Sequence, residues 1–197
     1  MLYLIYKKHN TEKRGNILKL LVVSDIHGSL FYLKKVIDIF EKNSYDKILI
    51  LGDELYHGPR NPLPLEYNPK EAAELLNRYK NKIIAVRGNC DSEVDQMVLD
   101  FPITADYNMV FWENKKIFMT HGHIYNIDNP IPMEEGDILL YGHFHIPMIK
   151  EKDKKIFLNP GSISLPKENN PNSFGVFENN SFYIKDMEEN ILKEIKL

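Results

Sequence analysis

The stretch ILKLLVVSDIHG, residues 17–28, changes character in a single step. Ile17-Leu18-Lys19-Leu20-Leu21-Val22-Val23 is a short apolar run, the pattern of a buried strand. It stops at Ser24-Asp25-Ile26-His27-Gly28, where a carboxylate, an imidazole and a glycine crowd together. A helix is expected next, because Leu33, Val36, Ile37 and Phe40 recur at helical spacing. Lys34, Lys35, Asp38 and Glu41 fall on its wet face.

The same unit returns twice. Lys47-Ile48-Leu49-Ile50-Leu51 reads as a strand that ends in Gly52-Asp53. A second helix should open at Asn68-Pro69-Lys70-Glu71: Asn68 can cap, Pro69 suits the first helical position, and Glu71 can reach back. Lys82-Ile83-Ile84-Ala85-Val86 is a third strand and delivers Arg87-Gly88-Asn89-Cys90-Asp91. Strands alternating with helices argue for an α/β sheet with largely parallel strands.

The second half is richer in hairpins. Met109–Trp112 and Lys116–Thr120 flank a polar turn, and Ile138–Tyr141 is a further strand. Pro147–Lys150 with Ile156–Leu158, and Phe174–Phe177 with Phe182–Ile184, complete two more pairs. The sum is an α/β chain of two packed sheets with flanking helices, a single domain over residues 17–197. Residues 1–16 include the polar stretch HNTEKRG (9–15) and have no clear periodicity, so they are expected to form a polar arm outside the core.

Of the 197 residues, 43% are hydrophobic and 27% charged, enough apolar material for one sizeable core. The net charge of −3 offers no general pull toward polyanions, so a long nucleic acid is not the expected partner. Met1–Tyr6 precedes Lys7-Lys8, the reverse of a secretory signal. No stretch approaches the roughly 18 apolar residues of a membrane span. One cysteine excludes an intramolecular disulfide and suits a reducing compartment. A cytoplasmic protein is expected, with no membrane partner; a homo-oligomer stays open.

The chemistry gathers at strand ends. Asp25-x-His27, Gly52-Asp53, Gly88-Asn89, His121-Gly122-His123 and Gly142-His143-Phe144-His145 each follow an apolar run. Five of the seven histidines lie in these segments. One Gly-Asp after a strand is usually a turn or a helix cap, and one Gly-His says little. Residues two apart in an extended segment point the same way, which makes Asp-x-His and His-x-His stronger signals. Carboxylates, imidazoles and a carboxamide, without obligatory sulfur, suit Mn, Fe, Zn, Ni or Co better than Mg or Ca. So many donors exceed one tetrahedral ion and suit two ions about 4 Å apart that share a carboxylate.

This ordered set resembles the calcineurin-like metallophosphoesterases. More narrowly, SDIHGS, LGDELYHGPRNPLP, AVRGNCDSEVDQM, THGH and FLNPGSISLPK resemble the YfcE-type phosphodiesterases, a likeness that spans residues 17–195. The resemblance implies a four-layer αββα sandwich of two packed mixed sheets. It implies that Asp25, His27, Asp53 and His145 hold one metal, and that Asp53 bridges to a second held by Asn89, His121 and His143. Mn²⁺ is the leading metal. It further implies in-line attack by a metal-bridging hydroxide held at Asp53 on a small phosphodiester. Two alternatives stand beside it: a phosphomonoester or phosphoprotein substrate at the same site, and a non-catalytic scaffold. The retromer scaffold subunit resembles this family but has lost parts of its metal chemistry, whereas this sequence keeps every candidate ligand.

Substrate contacts are expected from His57, Arg60, Arg87, Cys90 and His123. Arg60 could grip a phosphate with both ends of its guanidinium. Arg87 could do so too, or pair with Asp91 or another acid. His123 could touch a phosphate oxygen or orient a ligand. Asn159-Pro160-Gly161-Ser162 is adequately explained as a tight turn that supports the site. Many relatives in the wider family carry histidine after the asparagine. Cys90 therefore reads as a small wall residue that widens the leaving-group side, where a proton donor is missing, with a thiol acting as general acid as the alternative.

Overall fold

Leu20 and Val22 face one hydrophobic core, while Leu21 and Val23 face another. This is strand alternation in a segment buried on both sides. The structure, a computed structural model, describes residues 18–197. The expected polar arm and Ile17 lie outside the described residues.

Strands β1 (Leu20–Val23), β2 (Lys47–Ile50) and β3 (Ile83–Ala85) run parallel. Their sheet is extended by antiparallel β9 (Ser173–Glu178), β10 (Ser181–Asp186) and β11 (Ile191–Lys196), in the order β11-β10-β9-β1-β2-β3. Five strands form the second sheet: β4 (Tyr107–Trp112), β5 (Lys115–Thr120), β6 (Ile138–Tyr141), β7 (Pro147–Lys152) and β8 (Lys155–Pro160). Their order is β4-β5-β6-β8-β7, and β5, β6 and β8 are parallel.

Leu20, Val22, Leu49 and Ile84 of the first sheet meet Trp112, Met119, Leu140 and Leu158 of the second. Trp112 is buried there, against Phe177 at 5.2 Å, and donates its indole N–H to the Leu18 carbonyl at 2.6 Å. The other face of the first sheet is covered by α1 (Leu30–Lys42) and α2 (Pro69–Arg78). Val36, Ile37 and Phe40 dock there from α1, and Ala72 and Leu76 from α2.

The expected fold class holds: two packed mixed sheets with flanking helices. The outer face of the second sheet is closed by chain rather than by a helix. Tyr125, Ile127, Ile131 and Met133, in the irregular segment after β5, pack on Phe118, Leu139, Tyr141 and Phe157. Pro130 and Pro132 lack the N–H a helix needs. The Asn126 side chain accepts the N–H of Asp128 at 2.9 Å, which holds a turn instead.

The helix caps follow the sequence with one change. Asn68 accepts the Glu71 N–H at 3.2 Å, as expected of a cap. Glu71 reaches back to the Asn68 side-chain amide at 2.8 Å, because the Asn68 backbone N–H is spent on the Gly28 carbonyl. The turns Asp153-Lys154 and Asn179-Asn180 have positive φ at both positions, the geometry that suits a two-residue hairpin loop.

The sheets meet where β6 ends beside the end of β1. A Cβ on Gly142 would stand 1.8 Å from Ser24 Oγ and 2.9 Å from Asp25 Oδ2. Close approach, rather than backbone conformation, therefore demands glycine. Gly142→Ala is expected to destabilise the protein by about 1–3 kcal/mol, measured by urea unfolding. An unchanged midpoint would show that the sheet ends are free to part.

Candidate metal centre

All five chemistry-bearing segments emerge at the carboxyl ends of β1, β2, β3, β5 and β6, where open α/β sheets place their sites. The side chains converge, but not by extended spacing. Asp25 (φ 55°), His27 (50°), Asp53 (57°), His143 (67°) and His145 (60°) are all left-handed. Such a residue costs about 1–3 kcal/mol and persists only where its surroundings enforce it. The enforcement is visible: Asp25 N–H donates to the Gly52 carbonyl at 3.2 Å, His27 N–H to Asp53 at 2.8 Å, and Gly28 N–H to Glu54 at 2.9 Å. These bonds stitch the loop after β1 to the loop after β2.

Asp25 is anchored on one side only. Its Oδ2 accepts the Ser24 hydroxyl at 2.6 Å and the His143 N–H at 3.0 Å. Its carbonyl accepts the hydroxyls of Ser162 at 2.9 Å and Ser164 at 2.8 Å. Asn159 adds a bond to the Gly142 carbonyl at 2.8 Å, so the 159–164 turn supports the site, as the sequence suggested. Asp25 Oδ1 is buried without a hydrogen-bond partner, and so is His27 Nε2.

Three imidazoles are oriented alike. Nδ1–H of His27 donates to the Tyr56 carbonyl at 2.8 Å, that of His121 to Leu51 at 2.7 Å, and that of His145 to Leu165. A carbonyl can only accept, so each ring turns Nε2 toward the cluster, as metal-binding histidines do. Around Asp25 Oδ1 stand His145 Nε2 at 3.2 Å and His27 Nε2 at 3.7 Å. Asp53 Oδ2 lies 3.6 Å from His27 Nε2 and 3.5 Å from His121 Nε2. Beyond it, His121 Nε2 is 3.0 Å from Asn89 Oδ1 and 3.2 Å from His143 Nδ1.

Burial opposes the charge on Asp25, but its histidine neighbours, His145 foremost, hold the carboxyl below its ordinary value. Asp53 is likewise lowered, since His121 outweighs its burial. Burial works against a charged His121, yet Asp53 and Asp25 lift it to about 9. Burial and that neighbouring charge drop His143 to about 4. No lysine or arginine ion-pairs with either aspartate among the described residues. Two buried carboxylates, orphaned donor atoms and converging nitrogens fit a divalent cation.

The other expected residues are dispersed. His57 is half-buried between the Tyr56 and Tyr67 rings, at 4.9 and 5.1 Å. Arg60 is exposed. Arg87 reaches Glu93 at 3.6 Å and not Asp91. Asp91 is occupied: it accepts the backbone N–H groups of Gly88 (2.6 Å), Asp53 (2.8 Å) and Glu54 (3.0 Å). His123 stands exposed at the rim, 5.3 Å from the His121 ring, its pKa lowered by burial and by His121. The Cys90 sulfur comes within 4.8 Å of donor atoms of His27 and Asp53. Burial and the Asp53 carboxylate push that thiol up to about 12, so it is neutral there.

Sequence reasoning missed Glu54, which is fully buried with both side-chain oxygens unpartnered. Burial, then the nearby Asp91 carboxylate, raises it well above the usual range. Its one signal was a further acid directly behind Gly52-Asp53, in a segment that otherwise reads as loop. A cavity of about 230 Å³, beside the Lys80–Asp100 ion pair, shares no residue with the cluster.

A family model described as the calcineurin-like phosphoesterase superfamily domain matches residues 18–181. The chain belongs to this superfamily. Among calcineurin-like relatives, phosphodiesterase YfcE of Escherichia coli is 47% identical over 163 residues, 83% of this chain and 89% of that protein. The solved structure of YfcE, described as a phosphoesterase from E. coli, superposes with a TM-score of 0.89 at 43% identity. It covers 91% of this chain and 99% of that one. Vps29 complexed with Zn²⁺, from Entamoeba histolytica, shares the calcineurin-like fold at 22% identity and a TM-score of 0.60, over 90% of this chain and 98% of its own. This calcineurin-like protein is a metal-dependent phosphoesterase.

A cation bound at His121 would displace the proton that Asp53 and Asp25 favour there, with a pKa lifted to about 9. Chelator-stripped protein titrated with Mn²⁺ near pH 7.5 should therefore release protons, on the order of one per molecule. The release should fade above pH 9, and calorimetry in buffers of differing ionisation enthalpy measures it. Release that stays constant across this range would contradict the coupling of His121 to Asp53.

Proposed function

We propose that this protein hydrolyses small phosphodiesters with two divalent transition-metal ions, Mn²⁺ first, with Zn, Fe, Ni or Co as alternatives. Asp25, His27 and His145 would hold one ion, Asn89, His121 and His143 the other, and Asp53 both. One observation carries this reading: a single atom, Asp53 Oδ2, faces His27 Nε2 at 3.6 Å and His121 Nε2 at 3.5 Å. When bound, the ions supply an activated water as nucleophile and neutralise charge on the phosphoryl oxygens.

The chain's own residues do the positioning. The Cys90 N–H engages Asp53 Oδ1 at 2.8 Å, which leaves Oδ2 to face the two clusters. The carbonyls of Tyr56, Leu51 and Leu165 fix three ring orientations, so little reorganisation remains when substrate arrives. His123, exposed at the rim, can offer a ring N–H to a phosphoryl oxygen. A diester substrate is supported by the likeness to YfcE, named a phosphodiesterase. A monoester substrate at the same site is the second reading. The net charge of −3 suits a small substrate better than a long nucleic acid, and a cytoplasmic setting suits the single free cysteine.

Leaving-group chemistry follows from Cys90. A general acid contributes about 10²–10⁴-fold, and a neutral thiol lifted to about 12 is a poor one. Alcohols that depart without help should therefore be the good leaving groups.

With added Mn²⁺, bis(4-nitrophenyl) phosphate should be hydrolysed well and 4-nitrophenyl phosphate poorly. Asp53→Ala should lower the diester rate by at least about 10²-fold. Strong activity in that variant would sink the shared-ligand scheme, and a monoester preference would favour the second reading. Separately, Cys90→Ser should keep aryl-diester turnover within about tenfold of the parent. A larger loss would make the thiol a working acid.

A further inference from the structure

An open hollow of about 520 Å³ lies beside the cluster, lined by Tyr56, Pro59, Cys90, Asp91, Val94 and Asp95. Asn89 forms its inner edge, and the carboxamide of Asn89 is 3.0 Å from His121 Nε2. The hollow therefore begins where the donor atoms end. Its volume is within the range of small-molecule sites, about 300–1,000 Å³.

Two features of its walls have no role in the core. Tyr56 leaves 41% of its surface exposed, yet its position is tightly set. Its carbonyl holds His27, and its ring meets the His57 ring edge-on at 4.9 Å, which in turn rests on Tyr67. The His57 ring thus sits between the two tyrosines and props Tyr56, while its Nδ1 is buried without a hydrogen-bond partner. Val94 is 69% exposed, on the short helix α3 (Glu93–Val98), which buries no side chain at all. An aromatic ring held in place and a bare branched side chain offer apolar contact to something outside the chain.

Charge narrows the occupant. The ionisable lining is acidic: Asp91 is committed to three backbone N–H groups, and Asp95 to the cap of α3. Arg60 and Arg87, the cations nearest in chain order, do not line the hollow, and Arg87 turns to Glu93. A group bearing a carboxylate or a further phosphate would meet Asp91 and Asp95 on a wall that, among the described residues, is lined by no lysine or arginine. An uncharged ring would meet Tyr56 and Val94.

We infer that this hollow receives one ester arm of the substrate and selects an uncharged, ring-bearing alcohol, with Tyr56 as the specificity-determining residue. This rests on the diesterase reading and adds the chemical class of the arm. It assigns the loop after β2 a second task, since the segment that carries Asp53 also carries the recognition ring three residues later.

The test uses symmetric diesters, so that either arm samples the hollow: bis(4-nitrophenyl) phosphate and its analogue with a carboxylate on each ring. The parent protein should favour the uncharged diester. Tyr56→Ala should lower its kcat/KM by about tenfold, mainly through KM. Val94→Lys, at an exposed position that burial does not constrain, should shift the preference toward the carboxylated diester by about fivefold or more. A ratio that moves less than twofold in Val94→Lys, or a Tyr56→Ala loss confined to kcat, would overturn the assignment. Absence of Mn²⁺-dependent diester hydrolysis in the parent protein would instead overturn the diesterase reading beneath it.

Discussion

Everything at the functional end of this protein depends on how the Asp53 carboxylate is held. Its backbone N–H is bound by Asp91, its Oδ1 by the N–H of Cys90, and its backbone is left-handed. Only Oδ2 remains, with a histidine nitrogen on either side. Pinned this way, one carboxylate cannot turn to serve one neighbour at the other's expense. Asp91 completes the clamp by also holding Gly88 and Glu54, so the loops after β2 and β3 are tied to each other. A Cβ on Gly88 would stand 2.1 Å from Asp53 Oδ1, which shows how closely those loops approach.

Such a centre is costly to build. Two carboxylates are desolvated, five ligand candidates adopt left-handed backbone, and Asp25 Oδ1 and His27 Nε2 go without partners. The cost is met by the body of the fold, where both faces of β1 and β2 bury branched apolar side chains in two separate cores. Strain and unmet polar demand are thus concentrated at one end of the sheets, the end at which a cation would relieve them. The neighbouring Asp53 and Asp25 carboxylates favour a protonated His121, which lies 3.5 Å from Asp53 Oδ2.

Much of this was legible in the sequence because two signals reinforce each other. Apolar runs of strand length stop abruptly at Asp25-x-His27, Gly52-Asp53, Gly88-Asn89, His121 and Gly142-His143-x-His145, and the structure gathers all of these segments at one end. Less legible was the reason they converge. The two-residue spacing suggested extended backbone, whereas Asp25, His27, His143 and His145 are brought inward by left-handed turns stitched to neighbouring loops. β11 also escaped notice, because Ile191-Leu192-Lys193-Glu194-Ile195-Lys196 lies largely exposed and its strand identity comes from pairing with β10. Glu54 and Asp91 were hidden for a related reason: an acid in a loop reads as solvated until the neighbouring strands bury it.

The sequence by itself determined which donor types would stand at the strand ends, and in what order, because periodicity and composition are local properties of the chain. It also determined that the chain's one cysteine, Cys90, stands beside Asn89. Only the tertiary structure decided which atom of each donor faces inward, since that depends on carbonyls of Tyr56, Leu51 and Leu165 supplied by distant loops. It also decided that Arg87 serves Glu93, and that Tyr56 is propped open beside the cluster. Hydrogen-bond partners far apart in sequence carry no local pattern, so only the packing of the two sheets could reveal them.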